Sequence, residues 1–328
     1  MTTDTLQVMP DDVPGQQTFD DEPFPLVLRC GTPATLDAVA CWLAEQRDRL
    51  GAQAAEHGAV LFRGFPLSTA EDFDRFVAAF DWPSFAYDES LSNAVRVNRT
   101  SRVFTANEAP ASVNIFLHHE MAQTPICPSR LFFFCEQPAD EGGATPLCRS
   151  DVLWQRIVER CPGFARDCLD KGLRYTNVMP SANDPNSGMG RSWQSTLRSE
   201  TREQAEARLE ALGYSWEWLA DGCLRATTPV LPAVRELPGG RWSFYNQLIA
   251  FYSARTDNRN DPAISITFGD GAPLDDDSAV LAAKMADELS FDLPWQRGDV
   301  VLVDNYVTMH GRRTFRGTRK VLASLIAA

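Results

Sequence analysis

The residues with the most chemical capacity in this chain lie in the segment "NIFLHHEMAQTP", residues 114–125, where His118, His119 and Glu120 stand side by side. Only four histidines are present in 328 residues, and two of them are here. The run before them is apolar and reads as a strand. Alternate side chains leave a strand from the same face, so His118 and Glu120 project together and His119 points the other way. That spacing makes a two-pronged metal clip that still needs a third ligand. The remaining histidines are His57, between a helical and a strand pattern in "AEHGAV", and His310, at the end of the strand pattern in "DNYVTMHGRR"; His310 is the better placed. Two His and one carboxylate on one face of a metal form the donor set of non-haem iron(II) sites, with positions left open for other ligands. The same set holds zinc and activates water. An adjacent His and Glu are also common as plain surface groups, so the pair alone is weak evidence.

The elements that must position these residues come in an uneven order. Residues 1–22 are polar, acidic and dotted with Pro and Gly, and read as a flexible N-terminal arm. "TPATLDAVACWLAEQRDRLGAQAAEHG" and "STAEDFDRFVAAF" carry helical spacing behind capping residues, with the buried-strand pattern "AVLFRGF" between them. Short apolar runs follow, "RVFTANE", "NIFLHHEM", "SRLFFFCEQ" and "ATPLCRS", with "DEGG" as a tight connection. Helical spacing returns over 150–171 and in "SETREQAEARLEALG", separated by the irregular "MPSANDPNSGMGRSW". Strand patterns resume in "CLRATTPVLPAV" and "RWSFYNQLIAF", and after a polar stretch in "GDVVLVDNYVTMHG" and "KVLASLIAA". Strands from both ends of the chain, interrupted in the middle, predict one sheet system closed by distant segments.

Composition narrows the function classes. A formal net charge of −13 speaks against wrapping nucleic acid or coating an anionic membrane, both of which need concentrated Lys and Arg. No apolar run approaches the roughly 20 residues of a membrane span. Eight scattered cysteines without a CxxC pair read as reduced, mostly buried small hydrophobes, in keeping with a cytoplasmic protein. A small-molecule substrate fits this balance best.

Together, "LHHEM", "FFFCEQPADEGGATPLCRS" and "WQRGDVVLVDNYVTMHGRRTFRGTRKVLASL" resemble the taurine dioxygenase (TauD/TfdA) family of iron(II)- and 2-oxoglutarate-dependent oxygenases, over most of the chain from about residue 25. It is the order of the pieces that is specific: an HxE, a strand and GG-x-T turn, a distal His, then a basic residue about ten positions on. The resemblance implies a mixed α+β, mainly β fold: a double-stranded β-helix, or jelly roll, with flanking helices. Residues 23–328 would form a single oxygenase domain, with an insertion and lid within about 150–290. It implies His118, Glu120 and His310 as iron ligands, Thr145 on the iron-chelating carboxylate of 2-oxoglutarate, and Arg319 on the distal one, with Lys320 as the competing anchor. A planar guanidinium matches a carboxylate better than an ammonium does. Because the ligand Glu120 is a carboxylate, the resemblance favours hydroxylation, or desaturation or epoxidation, over chlorination. O₂ is consumed and succinate and CO₂ are released.

Within the family, "LHHEMAQTP" and "HGRRTF" resemble natural-product enzymes that hydroxylate small amino-acid-like substrates, free or held on a peptidyl carrier protein. Arg191 is then a candidate for a substrate carboxylate, and Asn246, Gln247 and Arg312 for further substrate contacts. Each has a structural reading beside it: strand hydrogen bonding for Asn246 and Gln247, a salt bridge for Arg312. Trp193 could cover the site from the loop "NSGMGRSW", while His119 is read as packing behind the metal strand. Asp304 and Asn305 either orient His310 or shape a turn. A zinc hydrolase and a non-catalytic metal-binding barrel stay as alternatives.

Overall fold

Strand Arg130–Gln137 shows how the sequence builds the layers. Its side chains alternate, Phe132 and Phe134 toward one apolar cluster and Leu131, Phe133 and Cys135 toward another. A strand buried on both faces belongs in the middle of a stack, and this one sits inside a seven-stranded sheet. In order, the sheet runs Val8–Asp11, Leu26–Cys30, Ala59–Arg63, Val300–Asp304, Arg130–Gln137, Lys320–Ile326 and Phe104–Thr105. The computed structural model describes residues 6–31, 33–85, 90–92, 96–106, 109–183, 191–256 and 264–328.

One face of this sheet is covered by helices Leu36–His57 and Ala70–Ala78, whose Leu43, Leu50, Phe73 and Phe76 pack on Phe62, Phe132 and Phe134. Thr35 caps the first helix by accepting from the Ala38 amide, and Thr69 with Asp72 forms a full capping box on the second. The other face shares an apolar layer with a four-stranded sheet of order Phe291–Leu293, Thr145–Arg149, Thr308–Arg312, Ile115–His118. Leu147, Phe291 and Leu293 supply its side of that layer. Beyond it lie helices Ser150–Arg160, Pro162–Lys171, Leu248–Thr256 and Asp276–Glu288. A third sheet, Ser215–Trp218, Leu224–Thr227, Leu173–Met179 and Ile264–Phe268, and helix Arg202–Ala211 fall within the expected 150–290 region.

Three expectations change. The segment read as a flexible arm over 1–22 instead contains strand Val8–Asp11, paired antiparallel with Leu26–Cys30, and strand Gln17–Phe19, paired with Glu22–Phe24. Val8–Asp11 is an edge strand of Val, Met, Pro and Asp with none of its side chains fully buried, so it lacks the alternation of apolar and polar residues that announces a strand, and edges tolerate its proline. "RWSFYNQLIAF" is not one strand: only Trp242–Ser243 pairs, and helix Leu248–Thr256 follows. Its aromatic and branched content imitates a strand, but packing on helix Asp276–Glu288 and its neighbours decides the outcome. That last helix, in the stretch read as polar loop, starts at Asp275, whose side chain accepts from the Ser278 amide.

One buried ion pair joins the first part of the chain to the last. Arg63 donates to both carboxylate oxygens of Asp299, at 3.0 and 2.6 Å, and to the Pro294 carbonyl at 2.8 Å. Asp299→Ala leaves a buried guanidinium uncompensated and should cost about 3–5 kcal/mol, whereas the apolar pair Arg63→Met with Asp299→Leu should recover most of the loss. Urea unfolding of the three proteins measures this.

Candidate metal centre and adjoining cavities

The centre is built where the four-stranded sheet brings its last two strands together. His310 on Thr308–Arg312 lies directly opposite His118 at the end of Ile115–His118, with ring centroids 4.4 Å apart. The register then slips, so that Arg312 faces Ile115. Gly311 sits in the irregular stretch, where a Cβ would stand 2.5 Å from the Ile115 carbonyl, so the close approach requires glycine. The strand stops at His118, and Glu120 belongs to the turn that follows, with Met121 at φ +59°. The expectation that one strand face carries both residues is therefore replaced by a strand end plus a turn. The side chains still converge: one donor atom each from His118, Glu120 and His310 lie within 4.8 Å of one another.

The donor chemistry fits a divalent metal. His118 Nδ1 is 2.8 Å from the Phe116 carbonyl, which can only accept, so this nitrogen carries the proton and Nε2 keeps its lone pair. Burial, reinforced by His310, pulls the His118 imidazole down to about 4, so it is neutral at pH 7 and has no proton to lose on ligation. Burial pushes the Glu120 carboxyl up, but the Arg96 guanidinium and His310 outweigh it and hold the group well below the usual carboxylate range. His310 Nε2 is 3.6 Å from Glu120 Oε2, and among the described residues its buried Nδ1 has no hydrogen-bond partner.

Asn305 fixes the turn. Its Oδ1 accepts from the Glu120 amide at 2.8 Å, and its Nδ2 donates to the Glu120 carbonyl at 3.0 Å and the Pro128 carbonyl at 2.8 Å. His119 points away from the metal donors: Nδ1 donates to the Asn305 carbonyl at 2.6 Å, and Nε2 is 2.7 Å from Ser150 Oγ. Asn305 thus orients Glu120 and His119 rather than His310, while Asp304 caps its own turn through the Tyr306 amide.

Two cavities meet here. The smaller, of about 50 Å³, is lined by His118, His310, Thr145, Arg312, Arg319 and Phe133 among others. Arg319 donates to the Gly143 carbonyl at 2.8 Å and to Thr145 Oγ1 at 3.2 Å, and Trp295 Nε1 also donates to Thr145 Oγ1, at 2.9 Å. Burial and the nearby Arg312 lower the Arg319 guanidinium to about 10, still cationic at neutral pH. Gly143, at φ +69°, leaves room for the Arg319 stem, which a Cβ would meet at 3.0 Å. Lys320 faces outward beside Glu136, at 3.9 Å. Thr145 and Arg319, expected to act on opposite carboxylates of 2-oxoglutarate, thus stand side by side, 3.2 Å apart.

The larger cavity, of about 360 Å³, adjoins His118 and Glu120 and runs between strand Leu173–Met179, helix Leu248–Thr256 and the 191–228 region. Gln247 lines it and donates to the His119 carbonyl and to Gln123 Oε1. The other substrate candidates lie elsewhere. Arg191 is occupied by Ser90, the Ser92 carbonyl and Ser195, tying two loops together. Asn246 is buried, its amide donating to the Ala233 carbonyl and accepting from the Leu248 amide at a helix start. Arg312 lines the smaller cavity and donates to the carbonyls of Ala109, Pro110 and Val113. Trp193 packs edge-on against Trp218 at 5.1 Å; residues 184–190 of the expected lid lie outside the described residues.

One functional side chain was not foreseen. Arg96 lines both cavities and donates to Glu120 Oε1 at 2.8 Å and Oε2 at 3.0 Å. It lies in an irregular segment with no periodicity or motif to single it out.

Residues 21–325 match the Taurine catabolism dioxygenase TauD, TfdA family. The chain belongs to this family, whose members are iron(II)- and 2-oxoglutarate-dependent oxygenases. It is 38% identical over 320 residues to a clavaminate synthase-like protein of Arabidopsis thaliana, covering 95% of this chain and 96% of that one. It is 29% identical over 286 residues to the dapdiamide synthesis protein DdaC of Enterobacter agglomerans, covering 83% of each. Among solved structures, PvcB from Pseudomonas aeruginosa aligns with a TM-score of 0.55 at 16% identity, covering 100% of this chain and 94% of that chain. A taurine dioxygenase from Burkholderia xenovorans aligns at 0.52 and 15% identity, covering 99% and 92%.

Asn305→Ala removes the partners of both backbone groups of Glu120. It should cost about 2–4 kcal/mol of stability and weaken Co(II) binding by about 10- to 100-fold. Urea unfolding and a metal titration followed by absorbance read the two effects separately.

Proposed function

We propose that this enzyme hydroxylates an unactivated C–H bond of a small amino-acid-like substrate, free or held on a peptidyl carrier protein, in cytoplasmic natural-product biosynthesis. The observation that carries the reading is the convergence of His118, Glu120 and His310 beside a second, cationic cavity holding Thr145 and Arg319. A zinc hydrolase would need the first group but not the second. The biosynthetic setting is supported by relatives named for dapdiamide synthesis and, for PvcB, an isonitrile synthetic pathway. In this reading residues 23–328 form one oxygenase domain, and its two main sheets are the double-stranded β-helix.

His118, Glu120 and His310 would hold iron(II) where the two cavities adjoin. Bound iron with 2-oxoglutarate supplies the O₂-dependent oxidising chemistry, with succinate and CO₂ as products. The protein's part is placement. Arg319 pairs with the distal carboxylate of 2-oxoglutarate, and the Thr145 hydroxyl, accepting from Trp295 and Arg319, donates its own proton to the same group. Phe133, its ring centroid 5.0 Å from that of His310, walls the smaller cavity against water.

Anaerobic addition of iron(II) and 2-oxoglutarate should give the weak visible band of the chelate, and O₂ with substrate should give succinate and a product heavier by one oxygen. His310→Ala and Glu120→Ala should abolish both; succinate formation that survives in either variant rules out this centre. Arg319→Ala should weaken 2-oxoglutarate binding by about 100-fold or more, while Lys320→Ala leaves it within about twofold. Calorimetric titration with zinc in place of iron distinguishes the two.

A further inference from the structure

The larger cavity contains one feature that its apolar walls do not require. Leu91, Met179, Leu197, Leu209, Phe251 and Ile266 contribute to its lining, and Asn177, Gln123 and Tyr214 add neutral polar groups. Among the described lining residues, Arg96 is the sole guanidinium or ammonium, and its side chain is only 7% exposed. A buried guanidinium in such surroundings is costly without an anionic partner. Among the described residues Glu120 is an anionic partner, which Arg96 grips through both oxygens, with the Phe104 ring 5.2 Å from the guanidinium carbon.

A metal held by His118, Glu120 and His310 would draw on the same Glu120 carboxylate, and less of its charge would then be left to Arg96. The guanidinium retains its fixed fork of donors, faces the larger cavity and lies beside the metal donors. A carboxylate arriving through the cavity meets that fork in the geometry it binds best. The apolar walls meanwhile accept a hydrocarbon or aryl body, and a volume of about 360 Å³ suits a small organic molecule.

We propose that Arg96 receives a carboxylate of the substrate, shared with or released from Glu120, and that the substrate is a free monocarboxylic acid with a largely apolar body. The inference rests on the oxygenase reading above and chooses between its two substrate forms. A carrier-bound thioester has converted its carboxylate and offers Arg96 no anion. Arg96 is therefore a specificity-determining residue, filling the role that the sequence assigned to Arg191.

The test uses the full chain loaded with zinc and 2-oxoglutarate, so that binding is read without turnover. The probes are 3-phenylpropionate, octanoate and N-acetylphenylalanine, each beside its primary amide and methyl ester, which stand in for the thioester. Calorimetry should show at least one acid binding about 10- to 100-fold more tightly than its amide and ester. Arg96→Gln should abolish that preference and Arg96→Lys should keep part of it. Equal binding of acid, amide and ester to the wild type, or no binding of any acid, overturns the proposal even if Arg96→Gln fails to fold. So does a preference that persists in Arg96→Gln or disappears in Arg191→Gln instead. If the acid preference holds but acids never elicit 2-oxoglutarate-dependent O₂ uptake with iron, the oxygenase reading fails while the carboxylate site stands.

Discussion

The carboxamide of Asn305 treats Glu120 as a neighbouring strand would, taking its amide proton and supplying one to its carbonyl. Everything at the centre depends on this pairing, because Glu120 lies beyond the end of its strand and has no ladder to fix it. Asn305 can do this because of where it stands. It begins the crossing from Val300–Asp304 in one sheet to Thr308–Arg312 in the other, and its own amide donates to the Ser129 carbonyl. The crossing that joins the two sheets therefore also sets the turn, and His310 follows five residues later. His119 strengthens the attachment by bridging the Asn305 carbonyl and Ser150, with burial holding its imidazole down at about 3 and neutral.

The layers around the centre divide the labour. The seven-stranded sheet and its two helices make an aromatic block in which Phe62, Phe76, Phe80 and Phe132 contact one another edge-on or tilted. That block gives the four-stranded sheet a rigid backing. The opposite side of the smaller sheet is left to helices and to the third sheet, and there the molecule opens into its larger cavity. The four-stranded sheet carries His118, His310 and Thr145, and Arg319 directly precedes strand Lys320–Ile326, whereas Arg96, outside any strand or helix, lines both cavities.

What could be read in advance follows from how each residue acts. His118, Glu120 and His310 were legible because metal ligation needs scarce residue types, and His119 was set apart from them by an expected strand alternation whose place a strand end and turn take. Arg319 and Lys320 stood out as adjacent residues facing opposite ways, and burial of one and exposure of the other matches that division. Arg191 and Asn246 misled for a common reason: both are polar groups in aromatic or glycine-rich surroundings, and local backbone groups consume their hydrogen bonds. Arg96 could not be found, because only folding brings it against a carboxylate 24 residues away. Helix Leu248–Thr256 was hidden by β-like composition that its tertiary neighbours override.

The edge strand Val8–Asp11 has a consequence for how the molecule behaves in a crowded solution. Without it, Leu26–Cys30, apolar and nearly all buried, would be the outermost strand of a large sheet and a template for pairing with other chains. With it, the rim presents Pro10, which has no N–H to offer, and Asp11, held by Arg29. The far rim ends in a strand of only two residues, Phe104–Thr105. The proline-bearing stretch near the start of the chain is thus a selvedge that covers the edge of the sheet.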